Sequence, residues 1–303
     1  MMLTLLGPTA TGKTALAAAI AAQTNAEIIS ADSRQVYKGM NLGTGKDYAD
    51  YQVQGASVTY HLLDIVDPGY EYNVYAFTRD FYRTYRSVAA QGKRVILCGG
   101  TGFYLEAVLG NYRLEKVPEN RALRHEFNHL SLKALEDRLK TLKTLHNHTD
   151  TDSRERLIRA LEIETYYAEN SCDRYPSIPS VIVGIHLERE QVRERITHRL
   201  HARLEAGMVE EVQQLLDSGV DSERLIFYGL EYKYITWYLL GRISKEEMVT
   251  RLNIAIHQFA KRQMTWFRRM ERKGFIIHWI DGRLPMEEKV DEAIRIWQQE
   301  GDF

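Results

Sequence analysis

The chain opens on a short, mainly apolar run, Leu3 to Leu6, that stops at Gly7. A run of this length bounded by glycine predicts a buried strand. The same pattern returns at Glu27-Ile28-Ile29-Ser30, at Arg94 to Cys98, at Val181 to Leu187 and at Phe275 to Ile280. Between these runs the period changes. Ala15 to Ala22 is alanine-rich and predicts a helix. Asn73 stands where an N-cap is expected, ahead of Phe77, Phe81, Tyr85 and Val88 at helical spacing. Strands that alternate with helices predict βαβ units, hence a parallel sheet with helices on both faces and an α/β fold.

The rhythm breaks between about 112 and 183. Charged amphipathic helices are predicted over 119–145, with a break near Leu130-Ser131, and over 151–169. A looser segment, Asn170 to Ser180, holds Pro176 and Pro179. The expectation is an all-helical insertion domain at 112–183 in a core formed by 1–111 and 184–303. Ser244-Lys245-Glu246-Glu247 reads as a capping box that opens a long helix to about Arg272.

Composition narrows the picture in three respects. The 40 Lys and Arg are matched by 41 Asp and Glu, so any nucleic-acid surface has to be a local patch on a nearly neutral body. Cys98 and Cys172 lack metal-ligand spacing and are expected as reduced thiols. Met1 to Leu6 is too short for a signal segment, and no apolar run reaches the roughly 18 residues of a membrane span. A cytoplasmic protein without membrane contact, acting as a monomer, is expected.

The most specific local motif is Gly7-Pro8-Thr9-Ala10-Thr11-Gly12-Lys13-Thr14, which fits G-x-x-x-x-G-K-[ST] between a predicted strand and a predicted helix. Glycines let backbone N–H groups wrap an anion, the helix N-terminus adds positive potential, Lys13 brings a mobile cation, and the Thr14 hydroxyl suits Mg²⁺. The loop predicts a P-loop NTPase-like core but does not say which polyphosphate it holds. Asp32, after the second strand, is placed to act as a general base; an N-cap or an outer partner of Mg²⁺ are the other readings. The strand Val95 to Cys98 ends in Gly99-Gly100-Thr101 rather than in aspartate, which speaks against ATP hydrolysis. Gly7, Asp32, Thr101, Arg189 and Asp281 all follow strand ends and are expected on one rim of the sheet. Lys261 to Lys273 carries six Lys or Arg and one Glu, interrupted by Trp266 and Phe267. That pattern suits phosphate contact with base stacking, or a solvated helix with buried aromatics. Arg195, Arg199 and Arg203 form a stripe opposite Ile196, Leu200 and Leu204, and Arg203 is expected on a solvated face.

Several stretches together resemble the tRNA dimethylallyltransferases. They are Gly7 to Thr14, Ile29 to Met40, Leu42 to Lys46, His61 to Pro68, Gly99 to Tyr104, Arg156 to Glu162 and Ala260 to Arg268, which together span most of the chain. The resemblance implies transfer of a dimethylallyl group from dimethylallyl diphosphate to N6 of adenosine 37, next to the tRNA anticodon, with the P-loop holding the diphosphate and no ATP consumed. It further implies Asp32 as the base on the amine, Lys13, Thr14 and Mg²⁺ on the departing diphosphate, Thr101 on the adenosine, and Arg199 on the diphosphate. By the same resemblance, Asp32, Ser33, Arg34, Gln35, Arg156, Arg159, Tyr232, Lys233, Lys261, Arg262, Gln263, Trp266 and Arg268 contact the tRNA. For Arg156 and Arg159, ordinary pairing with Glu155 and Glu162 is the other reading. Two positions depart from the family pattern: Glu231 stands where a glycine is usual, with Gly229 two residues earlier, and His257 stands where arginine is common. Apart from the resemblance, the residues also suit a P-loop small-molecule kinase, an adenylate isopentenyltransferase or a non-catalytic tRNA-binding paralogue.

Overall fold

A computed structural model describes residues 1–143, 153–170 and 175–301. Strand β1 (Met2–Leu6) leads through the glycine loop into α1 (Lys13–Thr24), and β2 (Ala26–Ser30) follows at once. A long loop with a 3-10 turn at Tyr48–Tyr51 leads to β3 (Gln52–Val53), β4 (Ala56–Ser57) and β5 (Tyr60–His61). Next come α2 (Val74–Ala90), β6 (Arg94–Gly99) and α3 (Gly102–Leu109), then α4 (Arg121–Asn128), α5 (Leu132–Leu142) and α6 (Arg154–Glu169). The remainder is β7 (Ser180–His186), α7 (Arg189–Glu205), α8 (Met208–Asp217), α9 (Ser222–Phe227), α10 (Leu230–Leu239), α11 (Lys245–Arg272), β8 (Ile277–Asp281) and α12 (Met286–Gly301).

Six strands form one sheet in the order β5-β2-β6-β1-β7-β8, parallel at every pairing. Both faces are covered, so β1 and β2 are buried at every position and show apolar runs instead of alternation. Leu3, Leu5, Ile28, Ile96, Val183 and Ile185 share one core with α1 and with Val290, Ala293 and Trp297 of α12. Leu6, Ile29, Leu97 and Ile182 are buried on the opposite face. Helix α2 packs against β2, β6 and α3, with Phe77 stacked on Tyr104 at 4.3 Å. The parallel α/β architecture is therefore the expected one, with corrections. The edge strand β5 and the hairpin β3–β4 were not foreseen, because two-residue strands carry no readable period. Strand β8 begins at Ile277 rather than Phe275, whose amide closes the end of α11 by donating to Met270 O at 3.1 Å. The Ser244 cap holds only half of a capping box. Its hydroxyl accepts from the Glu247 amide at 3.2 Å, but the Glu247 carboxylate pairs with Arg251.

The chain divides into two compact units, Met1–Tyr112 with Pro176–Phe303, and Arg113–Tyr175. An insertion boundary at 183 would cut through β7, whose residues from Ser180 onward pair with β1. Among its described residues the second unit is a cluster of α4, α5 and α6 around Phe127, Leu135, Leu139, Leu157 and Leu161. The break foreseen near Leu130-Ser131 is the Ser131 cap of α5, which accepts from the Ala134 amide at 3.2 Å. The segment with Cys172 and the helical residues expected at 144–145 and 151–152 lie outside the described residues.

Glu162 is the polar centre of this unit. Its side chain is fully buried and accepts from Arg124 at 2.7 and 3.0 Å, from the Asn120 amide at 2.8 Å and from Arg159 at 3.0 Å. Arg159 also donates to Val117 O at 2.7 Å. Arg159 is thus a structural partner of Glu162, while Arg156, one turn earlier, is exposed. Burial alone would raise the Glu162 carboxyl, but Arg124, the Asn120 amide and Arg159 outweigh it and hold the group below the usual carboxylate range. The stability this contributes is present above the unfolded carboxylate range and is lost as pH falls through the lowered value. Glu162→Ala is expected to destabilise α4–α6 by roughly 2–3 kcal/mol, at or below the lower end for a broken buried pair because both guanidinium groups are partly solvated. Hydrogen exchange of α4–α6 at neutral pH checks this; unchanged protection contradicts it.

Candidate active site

The phosphate loop turns on two left-handed residues, Ala10 (φ 64°) and Gly12 (φ 80°). The Gly12 conformation favours a residue without Cβ, and its carbonyl accepts from Leu16 N at 3.1 Å to start α1. The Pro8 carbonyl gathers two donors inside the loop, the Lys13 ammonium at 2.7 Å and the Thr11 hydroxyl at 2.9 Å. Outside the loop, Gln263 of α11 accepts the Thr9 amide at 2.8 Å and donates to the Gly100 carbonyl at 2.9 Å. A Cβ on Gly100 would lie 2.5 Å from the Gln263 amide nitrogen, so the glycine lets the two segments meet. Arg199 of α7 donates to the Thr9 hydroxyl.

Beside this loop lies a cavity of about 1020 Å³. One wall carries Thr9, Ala10, Gly12, Lys13, Thr14 and Arg199, and another carries Asp32 to Gln35 and Gly99 to Phe103. Asp32 Oδ1 accepts from the Arg34 amide at 2.8 Å and the Gln35 amide at 3.3 Å. Oδ2 has no hydrogen-bond partner among the described residues. The carboxylate is thus oriented through one oxygen while the other remains available to a ligand. The Thr101 hydroxyl accepts from the Ser33 amide at 3.1 Å, which leaves its proton to donate. The cavity is lined by seven Lys or Arg (Lys13, Arg34, Arg195, Arg199, Arg203, Lys233, Arg262) against five Asp or Glu (Asp32, Asp47, Asp50, Glu194, Glu231), which favours an anion. Burial brings the Lys13 ammonium down to about 8, and burial with the neighbouring Arg203 brings Arg199 down to about 10. Neither cation closes an ion pair among the described residues; Lys13 donates to Pro8 O and Arg199 to the Thr9 hydroxyl. Cys98, on the cavity floor, is a buried free thiol pushed up to about 12 by burial.

A further wall is the loop after β2. Glu211 of α8 accepts the amides of Asn41, Leu42 and Gly43 at 2.9, 2.7 and 3.1 Å and the Tyr232 hydroxyl at 2.6 Å. Buried Lys46 pairs with Asp64 and donates to Tyr37 O. Arg203 donates to both oxygens of Asp47 at 2.9 and 3.0 Å.

Several sequence expectations change here. Gly7, Pro8 and Thr11 do not line the cavity, and the Thr9 amide is taken by Gln263, so the loop's free anion-facing groups are fewer than its eight residues. Gln263 is a buried clamp that also lines the cavity, and Tyr232 is a core residue packed on Gly43. Gln35 donates to Gly45 O at 2.9 Å and braces the loop while also lining the cavity. Arg203 is buried and ion-paired rather than solvated. Lys261 and Arg268 are exposed and off the cavity, whereas Arg262, Trp266 and Lys233 line it. Phe267 is core, and Arg269 and Lys273 reach the buried carboxylate of Glu106. Arg189 and Asp281 follow β7 and β8 at the expected rim of the parallel sheet but do not line the cavity; Asp281 pairs with Arg283 at 2.6 Å. His257 of α11 faces α7, its Nε2 3.3 Å from Thr197 Oγ1. Asp47, Asp50, Phe227 and Phe259 line the cavity without any motif to mark them. For Arg203, the i, i+4 spacing from Arg199 was the available signal.

The model of the family described as "IPP transferase" matches residues 35–270. The tRNA dimethylallyltransferase 2 of Phocaeicola vulgatus is 58% identical over 297 residues, 97% of either chain. The tRNA dimethylallyltransferase 1 of Parabacteroides distasonis is 56% identical, with the same coverage. Among solved structures, the tRNA isopentenylpyrophosphate transferase of Bacillus halodurans superposes with a TM-score of 0.73 at 29% identity, covering 99% of this chain and 98% of that one. A family match over most of the length, joined to relatives identical at more than half of the aligned positions, decides the assignment: the chain belongs to the IPP transferase family.

Proposed function

We propose that the protein transfers a dimethylallyl group from dimethylallyl diphosphate to the N6 amine of adenosine 37, next to the anticodon of tRNA, and releases diphosphate. The observation that carries the proposal is a single cavity with a phosphate loop on one wall and, on another, a carboxylate anchored through one oxygen with its second oxygen unengaged.

An exocyclic adenine amine is a weak nucleophile because its lone pair is delocalised into the ring. Asp32 Oδ2 accepts one amine proton as N6 bonds to the allylic carbon. The carbon–oxygen bond to the diphosphate breaks, and its electron pair stays on the leaving group. Lys13, Arg199 and the N-terminus of α1 offset the charge that grows there. The Thr101 hydroxyl donates to the base. Thr14, in the first turn of α1, would hold Mg²⁺. Thr14 lines the cavity beside Lys13, and a hydroxyl oxygen is a hard ligand of the kind Mg²⁺ takes. When bound, Mg²⁺ would neutralise the diphosphate. The cavity mouth suits an unpaired loop. Phe227 is 63% exposed with Arg34 5.5 Å over its ring, Arg262 lies 5.9 Å over Phe259, and Trp266 sits 5.9 Å from Phe103. Aromatic faces beside guanidinium groups stack extruded bases and hold phosphates. No described helix is long and apolar enough to cross a membrane, and the reading is of a monomeric cytoplasmic enzyme.

Incubation with unmodified tRNA, Mg²⁺ and dimethylallyl diphosphate, followed by nuclease digestion and mass spectrometry, is expected to yield a prenylated adenosine from position 37. Absence of that nucleoside, or consumption of ATP with a phosphorylated product, contradicts the proposal. Lys13 gives a second expectation. Burial lowers its ammonium to about 8, and a bound diphosphate favours the charged form. Donor affinity should fall as pH rises through about 8, and binding near pH 8.5 should take up protons. Calorimetry in buffers of different ionisation enthalpy reads that uptake; it should vanish in Lys13→Met, and equal heats for the wild type in all buffers would count against it.

A further inference from the structure

Glu231 is a second carboxyl in the cavity that the mechanism above leaves unused. It lies in the first turn of α10, whose entry is set by Gly229 (φ 151°). The next residue, Tyr232, is fixed in the core by Gly43 and Glu211. One position back on the helix, Glu231 lines the cavity together with Asp32, Arg199 and Arg203. Neither guanidinium closes an ion pair with it. Arg203 is committed to Asp47, and Arg199 donates to Thr9. Apart from its own amide, Glu231 has no hydrogen-bond partner among the described residues.

We infer that Glu231 is a specificity-determining residue that pairs with the target adenine, its carboxyl O–H donating to the ring nitrogen beside the amine and its carbonyl oxygen accepting the N6–H that Asp32 does not take. The inference rests on the adenosine prenylation proposed above. Adenine presents an amine donor next to a ring-nitrogen acceptor on both of its edges, N1 on one and N7 on the other. A protonated carboxyl offers the complementary donor and acceptor on one group. Burial raises the Glu231 carboxyl above the usual carboxylate range, against the pull of Arg199 and Arg203 and with Asp32 pushing the same way. Guanine would bring its O6 against the Asp32 carboxylate, so the two acids together select adenine.

The test uses the full-length protein with anticodon stem-loops carrying adenosine, 1-deazaadenosine or 7-deazaadenosine at the target position. Wild-type turnover of the adenosine substrate comes first; its absence would bring down the proposed function and this inference with it. With turnover present, Glu231→Ala is expected to lower kcat/KM for the RNA by about 5- to 150-fold, the span of one lost bidentate base contact, with the donor KM unchanged. Glu231→Gln, which keeps a donor and an acceptor, should recover to within about threefold of wild type. One of the two deaza substrates should lose as much in the wild type as the alanine variant does, with no further loss when the two changes are combined; which one it is identifies the edge. Should the alanine variant fail to fold, Glu231→Leu carries the same comparison. If the glutamine variant falls as far as the alanine variant, or both deaza penalties persist undiminished without Glu231, the residue only completes the first turn of α10 and the inference is wrong.

Discussion

The site depends on one buried amide. Gln263 projects from α11 and closes two hydrogen bonds, one to the phosphate loop at Thr9 and one to the turn after β6 at Gly100. Its side chain is almost wholly enclosed, so both polar atoms have to be satisfied from within, and these two contacts do so. Separation of the segments would leave polar groups unpaired in a place that water scarcely reaches. The pairing of β1 with β6 brings the anion-holding wall and the Asp32–Thr101 wall together, and their spacing is braced by a side chain 254 positions from Thr9 and 163 from Gly100. The same helix presents Arg262 and Trp266 to the cavity. A substrate held by these side chains is held by the element that braces the catalytic spacing.

A second constraint acts on the loop after β2. A loop this long has many polar backbone groups to satisfy. Glu211 takes three of its amides, and Lys46 joins Asp64 to the Tyr37 carbonyl. The loop becomes a rigid wall that carries Asp47 to Arg203. Much of what makes Leu42 to Lys46 and His61 to Pro68 specific as sequence is thus scaffold for the pocket.

This explains what could be read from the sequence. Local rules were sufficient for the glycine loop, the longer strands, the Asn73 cap, the helix break near Leu130-Ser131 and the length of α11, since each depends on residues within a few positions of one another. The strand-end rule brought Asp32 and Thr101 to one rim. Burial of polar side chains was not readable, because it is decided by partners far away. Arg203, Gln263, Tyr232 and Arg159 each looked like a surface or ligand residue, and each is tied to a partner more than 20 positions distant or to a buried carboxylate. Strand β5 escaped because its two residues leave no periodic trace, and Asp281, although at the rim, lies at the end of the edge strand β8, off the cavity and paired with Arg283.

The two walls divide the work: one holds an anion that leaves, and the other draws a proton from the group that attacks. Asp32→Asn separates these tasks with little structural change, because the amide oxygen can still accept from the Arg34 and Gln35 amides while the second oxygen is replaced by a donor. Donor affinity and single-turnover prenylation of tRNA should be measured side by side in this variant. The account predicts a dissociation constant for dimethylallyl diphosphate within about twofold of wild type and a prenyl-transfer rate lower by about 10²- to 10⁴-fold. An undiminished transfer rate would contradict it.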